Sequence, residues 1–538
     1  MKSLIKKHWP VISVIIIYFI TIFILIVIST RMNHGHLIYA VDDAYIHMAI
    51  AKNFVQYGVW GVTKYGFTST TSSPLWTFLL AMTYFIFGIN EMAPLILNIL
   101  FGTLLLIISH LILRKYVPNQ LIIFTILLTA LFVTPLPTLT FIGMEHILHI
   151  LLTLCLVYSY IATLSAITRH RGYILLMVFA LLITMTRFEG IFLIFVICLI
   201  FIWQKQVLYS GILGIMGLLP IIVYGIWSVS MGWYFLPNSI ILKGISPILN
   251  LKGIAEWISV INLISRIYTN IPILILLIFS LLLLTYYIKK GISNDNKKII
   301  IAIFIGTTLL HMQFVRIEWF YRYNAYIIFF GILILSSTII DLKPKACLQK
   351  ISWKNSKLYL VGLILIAIIS FPFAKRAFTA IQLTPQATNN IYEQQYQMGR
   401  FLAKFYRGDA VAVNDIGAVS YMTNIQILDL WGLGNLELAK LKMNKGYNTE
   451  QIYNSAKKMG VTISIVYDEW FDYCGGIPSQ WIKIGQWKVS NNVVLGENTV
   501  SIYAVNAAAT DQLISNLKSF KTDMPKDIIQ SGKYMEQN

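Results

Sequence analysis

Long runs of apolar residues, separated by short polar stretches, dominate the first 373 residues of the chain. An α-helix needs about 20 mostly apolar residues to cross a bilayer, and runs near this length recur throughout the region. The pattern therefore predicts about eleven membrane crossings. The predicted spans are 11–30, 94–113, 119–135, 146–168, 173–186, 190–204, 208–229, 270–288, 299–314, 323–340 and 358–373.

A further apolar run at 75–89 does not fit the alternation of sides along the chain. If it were a crossing, every later loop would change sides, so the sequence favours a short or re-entrant helix. Basic residues cluster at alternate ends of the predicted spans, and the positive-inside rule places these ends in the cytoplasm. The external side then receives residues 31–72, 136–145, 187–189, 230–269, 315–322 and everything after 374.

The chain becomes mixed and more polar after residue 374. Apolar positions recur with a helical period at 388–406 and 449–459, and short apolar runs are typical of strands. The predicted strands are 411–413, 425–430, 463–467 and 500–505. We therefore predict a polytopic α-helical membrane protein, with a transmembrane domain over 1–373 and a C-terminal extracytoplasmic α/β domain over 374–538.

Composition supports this fold class and restricts the partners. The chain is 57% hydrophobic and only 12% charged, unlike a soluble protein of this length. A net charge of +19 is compatible with nucleic acid, but no basic run is interleaved with aromatic residues. In a membrane protein, such an excess lies in cytoplasmic loops and against lipid phosphates, so we expect membrane lipids as partners. The four cysteines show no CxxC spacing and predict neither a disulfide framework nor a zinc site.

Two adjacent acids, Asp42 and Asp43, stand in the first external loop, in a chain with only 23 acidic residues. A pair of acids where a helix leaves the bilayer is energetically unfavourable, and such residues usually have a function. Two carboxylates at this boundary suit a general base for a hydroxyl, or a divalent metal site. The alternative is a solvated helix N-terminus, where Asp is favoured in any case.

The residues that follow predict a helix from Asp42 to Tyr57 at the membrane interface. Ile46, Ile50 and Phe54 recur every four residues, as on the apolar face of an interfacial helix. His47 lies four residues after Asp43 and so shares its face. It could orient an acid, contact a phosphate, or be an ordinary surface residue.

An irregular stretch rich in hydroxyl groups, from Gly61 to Pro74, completes the loop and runs into Leu75 and Trp76. Its hydroxyls, its backbone N–H groups and Lys64 could hold a sugar phosphate. The alternative interpretation is an ordinary surface loop.

Several short motifs occur in one order along the chain. The first loop contains Asp-Asp-Ala-Tyr-Ile from Asp42, then Gly-Phe-Thr-Ser and Ser-Pro-Leu-Trp. The later motifs are Gly143-Met144-Glu145-His146, Thr186-Arg187-Phe188-Glu189-Gly190, Leu236-Pro237-Asn238-Ser239 followed by Lys243, Tyr321-Arg322-Tyr323, Asn414-Asp415-Ile416-Gly417-Ala418 and Ile427-Leu428-Asp429-Leu430-Trp431-Gly432-Leu433. Together they resemble GT-C glycosyltransferases. The nearest branch uses polyprenyl-phosphate sugars and includes terminal arabinofuranosyltransferases and pilin arabinosyltransferases. Phe188 replaces the proline of the family motif.

The resemblance implies an inverting transferase that moves a sugar, such as arabinofuranose, from a polyprenyl phosphate. The acceptor would be a hydroxyl of a cell-envelope glycan or protein, on the external side of the inner (plasma) membrane. Asp42 aligns with the family's catalytic acid, and Asp43 would orient the base or the acceptor. The candidate donor-phosphate ligands are Lys64, Arg187, Lys243 and Arg322, and the candidate substrate ligands are His47, Trp76, Glu145, Glu189, Asn238 and Tyr323.

Alternatives remain open for both the site and the function. Each candidate cation could be a boundary residue that extends towards lipid headgroups. Glu145 and Glu189 could bind sugar hydroxyls, pair with Arg187 or Arg322, or hold a divalent metal, although no cofactor is firmly predicted. A transporter or flippase of a lipid-linked saccharide is the main rival, and it would place charges within the spans near the midplane. An O-antigen polymerase or ligase, or a glycan-binding scaffold, are further alternatives.

Overall fold

The computed structural model describes residues 2–243, 260–291, 295–315, 319–341 and 356–536. Within these residues, helices form almost all of the membrane part. They are α1 (Lys2–Met32), α2 (Asp43–Tyr57), α3 (Pro74–Phe87), α4 (Ala93–Tyr116), α5 (Gln120–Val133), α6 (Leu136–Ile142), α7 (His146–Thr163), α8 (Arg169–Thr186), α9 (Gly190–Trp203), α10 (Val207–Ser230), α11 (Asn238–Lys243), α12 (Val260–Thr269), α13 (Ile271–Lys289), α14 (Asp295–Phe314), α15 (Ala325–Asp341) and α16 (Ser356–Ile391).

Seven helices of the described residues are long and apolar enough to cross a bilayer. They are Lys7–Met32, Ala93–Tyr116, Gln120–Ile142, His146–Thr163, Val207–Ser230, Ile271–Lys289 and Asn296–Phe314. Each coincides with a predicted span, so the chain is a multipass membrane protein. The predicted spans at 190–204 and 323–340 fall on the shorter helices α9 and α15, and the one at 173–186 falls on α8.

The apolar run at 75–89 forms α3, which has 14 residues. Its length of about 21 Å is less than the hydrocarbon core of about 30 Å, in agreement with the prediction of a short helix. Proline in the first turn and Gly88 after the last set its ends. The helix packs against α2 and α8.

No break in the backbone marks the predicted domain boundary at 374. Helix α16 passes through this position and continues as a π-helix (Tyr392–Tyr396) and then as α17 (Gln397–Phe405). The change in composition at 374 marks the end of the apolar run, whereas the helical period continues beyond it. The C-terminal domain is therefore connected to the membrane part by one long helix.

A six-stranded sheet forms the centre of the C-terminal domain. The strands are β1 (Ala410–Val413), β2 (Gln426–Asp429), β3 (Ile463–Val466), β4 (Ile482–Lys488), β5 (Thr499–Ala504) and β6 (Ile529–Gly532). Their order is β2-β1-β3-β5-β4-β6, with β1 parallel to β2 and β3, and the other pairs antiparallel. The four predicted strands are confirmed. Strand β4 was missed because a bulge breaks its alternation, and β6 because it is short and polar.

Helices and short 3-10 segments cover this sheet. The helices are α18 (Gly417–Met422), α19 (Leu436–Met443), α20 (Thr449–Met459) and α21 (Thr510–Phe520), and the 3-10 segments are Asp468–Cys474, Ala507–Ala509, Lys521–Asp523 and Lys533–Met535. The predicted helix at 449–459 is confirmed by α20.

Helix α2 lies between the two parts of the protein. Its residues Ala44 and Met48 belong to the core of the membrane part, while Ile46 and Ile50 pack into the core of the C-terminal domain. The prediction of a helix from Asp42 to Tyr57 is confirmed. Two residues of its apolar face, Ile46 and Ile50, are covered by the C-terminal domain and not by lipid, whereas Phe54 is 38% exposed.

Candidate active site

Asp42 connects the first external loop to the C-terminal domain. It immediately precedes α2, and its carboxylate accepts hydrogen bonds from the N–H groups of Gly417 (2.7 Å) and Ala418 (2.8 Å), at the start of α18. A Cβ atom at position 417 would overlap the carbonyl oxygen of Asp42 and come within 2.7 Å of its carboxylate. The contact therefore requires glycine at position 417.

The surroundings of Asp42 shift its proton affinity. Burial raises the pKa of Asp42 to about 8, and the negative charge of Asp415 acts in the same direction. The N–H groups of Gly417 and Ala418 oppose this shift because they stabilise the ionised form. A carboxylate with a pKa near ambient pH can accept and release a proton, as a general base requires.

Asp415 lies just after the carboxyl end of β1, where it accepts hydrogen bonds from two polar side chains. Its Oδ2 atom accepts hydrogen bonds from the Tyr467 hydroxyl (2.9 Å) and the Gln395 amide (2.8 Å). Tyr467 directly follows β3, the parallel neighbour of β1. Because β2 and β3 flank β1 on opposite sides, the crevice beside β1 is a topological switch point, where open α/β sheets bind ligands. Asp42 reaches the same edge of the sheet.

Asp43 faces the membrane part, away from the partners of Asp42. Its Oδ2 atom accepts a hydrogen bond from Nη2 of Arg322 at 2.8 Å. Arg322 also contacts the sulfur of Met144 at 3.0 Å and donates to the Tyr323 hydroxyl at 3.1 Å. The Arg322 side chain is buried, whereas that of Asp43 is 23% exposed. The ion pair therefore joins a buried cation to a partly exposed acid.

A second ion-pair network lies behind the first. Arg187 donates to Glu145 Oε1 at 2.6 Å and forms two hydrogen bonds to Glu189, at 2.6 and 3.2 Å. The Glu145 side chain is fully buried and that of Glu189 is 20% exposed. Burial raises the pKa of Glu189, but the charge and hydrogen bonds of Arg187 outweigh it and hold this pKa at about 2. Glu189 is therefore ionised at any physiological pH.

Tyr323 joins the two networks, and His47 lies beside the second. The Tyr323 ring lies 4.9 Å from the guanidinium of Arg322 and 5.4 Å from that of Arg187. His47 is buried on α2, with Nδ1 2.8 Å from the Thr77 hydroxyl and Nε2 3.8 Å from Glu145 Oε2. We use the term arginine cluster for the group that these contacts define. Its members are Asp43, His47, Glu145, Arg187, Glu189, Arg322 and Tyr323.

Lys64 lies away from the arginine cluster. Its ammonium group is exposed and sits 5.4 Å from the ring centre of Tyr65 and 5.8 Å from that of Tyr57. Tyr57 is the last residue of α2 and Asp43 the first, so these two ends are about 20 Å apart. The hydroxyl-rich loop folds back along α2, and the geometry gives no support to the predicted phosphate contact of Lys64.

Two other predicted residues, Asn238 and Trp76, are not brought to the cluster. Asn238 is buried and joins two loops, through its N–H to Ser69 (2.8 Å) and its amide to Gly432 (2.9 Å). Trp76 is fully buried against Phe101, so neither of its faces is open to a sugar. Lys243 ends α11, and its side chain lies outside the described residues.

The sequence did not single out Asp415 and Gly417 as site residues, although both lie within a motif of the resemblance. Polar residues and a glycine directly after a predicted parallel strand are a usable signal for a ligand-binding edge. Contacts from Asp42 to these residues span more than 370 positions, which no local pattern reveals.

The two acids that could have held a divalent ion are both paired with a guanidinium group. Glu145 and Glu189 both bind Arg187, which supplies the positive charge that a metal would bring. Among the described residues, no three His, Cys, Asp or Glu side chains converge in a metal-binding group. A role for a divalent metal stays a prediction, and the mechanism below uses none.

Comparisons with known proteins concern mainly the fold. A family model described as "Domain of unknown function (DUF8728)" matches residues 389–503, within the C-terminal domain and its connecting helix. No curated protein matches the sequence. The chain is similar to the crystal structure of ArnT from Cupriavidus metallidurans bound to undecaprenyl phosphate, at a TM-score of 0.52 and 10% identity. The alignment covers 94% of this chain and 99% of ArnT.

Two further structures are also similar. The apo state of the same ArnT aligns with a TM-score of 0.52 and 11% identity, over 94% of this chain and 99% of that one. An oligosaccharyltransferase from Archaeoglobus fulgidus in the apo form aligns with a TM-score of 0.49 and 11% identity, over 98% of this chain and 76% of that one. The likeness to ArnT confirms the predicted fold class, a GT-C-like helical membrane protein with a C-terminal α/β domain.

Proposed function

We propose that this protein is an inverting glycosyltransferase that uses a polyprenyl-phosphate sugar as its donor. The acceptor is a hydroxyl group of a cell-envelope glycan or protein, and the site faces away from the cytoplasm at the inner (plasma) membrane. One observation carries the proposal: Asp42, with a raised pKa, stands directly beside the arginine cluster, where the membrane part meets the C-terminal domain.

In the proposed reaction Asp42 is the general base. The acceptor oxygen attacks the anomeric carbon, the bond from that carbon to the phosphate oxygen breaks, and the polyprenyl phosphate leaves from the opposite face. Asp42 takes the acceptor proton as the new bond forms. The pKa of about 8 makes Asp42 a stronger base than an ordinary aspartate, which favours proton transfer from a hydroxyl. Asp43 is a positioning residue, because its carboxylate holds Arg322 beside the base.

Arg322 is the best candidate for the donor phosphate. Its Nε atom is buried and has no hydrogen-bond partner among the described residues, although such donors are nearly always satisfied. A phosphate oxygen would satisfy it, and a guanidinium can bind two such oxygens at once. Arg187 is already shared by Glu145 and Glu189, so we assign it the role of holding the cluster in place.

The lipid and sugar classes are proposed from similarity to other proteins. An ArnT structure of the same fold was solved with undecaprenyl phosphate, which supports a polyprenyl-phosphate donor for this chain. The resemblance to the arabinofuranosyltransferase branch suggests a pentofuranose such as arabinofuranose, and this is the first sugar to test. The rival function, movement of the lipid-linked saccharide across the bilayer, needs no base.

A transfer assay with protein reconstituted in lipid tests the proposal. Wild type, Asp42→Asn and Asp43→Asn are supplied with a panel of polyprenyl-phosphate sugars and candidate acceptors, and donor binding is measured in parallel. Loss of a general base lowers the rate by about 10²–10⁴-fold. We expect this loss for Asp42→Asn with donor binding retained. Equal transfer by Asp42→Asn and wild type would refute the assignment, and donor movement across the bilayer without transfer would support the rival function.

A further inference from the structure

A cavity lies among the membrane helices, away from the candidate active site. It has a volume of about 240 Å³ and is bounded by α4, α7, α14 and α15. Its deeper walls are apolar and include Leu154, Phe330 and Leu333. Nothing in the proposed transfer reaction uses this space.

The mouth of the cavity is basic and aromatic. Lys297 lines it with a side chain that is almost fully buried, and the ammonium group lies 5.4 Å from the ring centre of Tyr116. On the other side, Lys115 donates a hydrogen bond to the Tyr158 hydroxyl and lies 4.6 Å from the centre of that ring. Tyrosine and lysine are typical of the boundary between the apolar core and the lipid headgroups.

The cavity opens at the membrane surface opposite to the arginine cluster. Glu145 directly precedes α7, whereas the cavity is lined by the second half of that helix, from Leu154 to Ile161. Glu145 and Val157 are 12 residues apart on this helix, which corresponds to about 18 Å. The positive-inside rule places the basic end, which carries Arg114 and Lys115, in the cytoplasm. The cavity therefore belongs to the other leaflet from the one that presents the donor.

The shape of the cavity fits a single hydrocarbon chain. Its walls extend from Leu154 to Ile161 on α7 and from Phe330 to Thr338 on α15. These segments are about 10–12 Å long at 1.5 Å per residue, and Lys297 and Tyr116 lie at one end of the cavity. An apolar slot with a cationic rim is complementary to an acyl chain that carries a negatively charged headgroup.

We propose that this cavity is a binding site for an anionic phospholipid of the cytoplasmic leaflet. One acyl chain fills the slot between α7 and α15, and the headgroup phosphate lies at the mouth beside Lys297 and Lys115. Bound there, the lipid joins four helices at the end away from the site, so it stabilises the helical bundle without contacting the donor.

Native mass spectrometry of the full chain, with phosphatidylglycerol or phosphatidylcholine of identical acyl chains, tests the proposal. One lysine near the membrane surface contributes about a fivefold change in binding of an anionic lipid. We expect tighter binding of phosphatidylglycerol to wild type, and a loss of about this size in Lys297→Gln. Lys290→Gln is the matched control, because Lys290 is exposed on the same membrane side and does not line the cavity.

A second variant tests the slot without altering any charge. Ser337 lines the cavity and is half-buried, so Ser337→Phe should fill the slot and reduce phosphatidylglycerol binding. Equal binding of the two lipids by wild type would overturn the proposal, as would equal losses in Lys297→Gln and Lys290→Gln. If undecaprenyl phosphate, but not added phosphatidylglycerol, displaced the lipid bound to the protein, the cavity would be assigned to the donor lipid. That result would also overturn the proposal.

Discussion

Asp42 and Glu145 are two acids withdrawn from water at the same junction, and they are stabilised in different ways. Asp42 accepts hydrogen bonds from two neutral N–H groups and lies near a second acid, and its pKa rises to about 8. Glu145 is bound by the guanidinium of Arg187, in an ion pair that also includes Glu189. Burial and the charge of Asp415 outweigh the two N–H groups and leave Asp42 able to take up a proton, whereas Glu145 is held in place by a bound cation. The first arrangement suits a base and the second suits a rigid support.

The two kinds of site are separated by a single peptide bond. Asp42 precedes α2 and faces α18, while Asp43 begins α2 and faces Arg322. Helix α2 is packed on both sides, by the membrane core and by the C-terminal core, so neither acid can exchange partners with the other. The C-terminal domain thus supplies groups to the candidate base and does more than cover the membrane part.

The largest effect on stability should come from removing the cation of the arginine cluster. Arg187→Met leaves Glu145 buried without a counter-charge, and breaking a buried ion pair from one side costs about 3–5 kcal/mol. Thermal unfolding of the purified protein in detergent should show a clear fall in Tm and a loss of transfer.

A double variant separates the ion pair from the shape of the side chain. In Arg187→Met with Glu145→Gln, the buried negative charge is gone, so part of the lost stability should return. Arg187→Lys keeps the charge but loses the planar fork, and should fall between wild type and Arg187→Met. If the double variant were no more stable than Arg187→Met, the support role of this ion pair would be wrong.

A smaller effect is expected where Asp42 meets the C-terminal domain. In Gly417→Ala the added methyl group overlaps Asp42, and forcing extra volume into a packed contact costs about 1–3 kcal/mol. Because the overlap displaces the candidate base, transfer should fall further than stability alone explains. Gly66→Ala in the first loop is the matched control, since a methyl group there meets no atom within 4 Å. Equal transfer rates in the two variants would show that the Asp42 contact does not matter for the reaction.

The pH dependence of transfer tests the role of Asp42 as base in the wild-type protein. A base with a pKa of about 8 is active when deprotonated, so the rate should rise with pH and level off above pH 8. Since burial and Asp415 both raise this pKa, Asp415→Asn should move the rising limb to lower pH. The pH–rate profile of kcat/KM measures both effects.

Stability should respond to pH in the opposite direction. The folded pKa of Asp42 lies above its value in the unfolded chain, so between about pH 4 and pH 8 the folded state holds an extra proton. The contribution of Asp42 to the free energy of unfolding therefore decreases as pH rises through this window. A rate that fell with rising pH between 6 and 8 would contradict the assignment of Asp42 as base.

Much of the fold follows from local patterns in the sequence. Among the described residues, apolar runs identified the seven helices that are long and apolar enough to span a bilayer, and four of the six strands of the C-terminal sheet were predicted from short apolar stretches. The neighbours of α2 could not be predicted in this way. Ile46 and Ile50 show the same spacing whether lipid or a protein domain covers them, because an amphipathic period does not identify the partner.

The sequence motifs located the candidate site only in part. Asp43, Arg187 and Arg322 converge because their motifs lie at helix ends that the bundle brings together. Trp76 also lies at a helix end within a motif, but its side chain is buried in the protein interior. A rotation of the helix by one residue would change the direction of this side chain, and the motif does not specify that rotation. The contact between Asp42 and Gly417 depends on how two domains dock, which a single sequence does not encode in any local period.

The smallest effect should come from Lys64, and it tests where the candidate site ends. Lys64→Gln removes an exposed charge beside Tyr57, at the opposite end of α2 from Asp43, so stability should change by less than about 0.5 kcal/mol and transfer should stay within about twofold of wild type. Lys52→Gln is a useful contrast, because Lys52 on α2 donates a hydrogen bond to the Tyr421 carbonyl at 2.5 Å, so this variant should lose stability. If Lys64→Gln instead reduced transfer at unchanged stability, the donor or acceptor would extend along α2 to its far end. The reaction would then depend on the whole length of the helix rather than on its first turn.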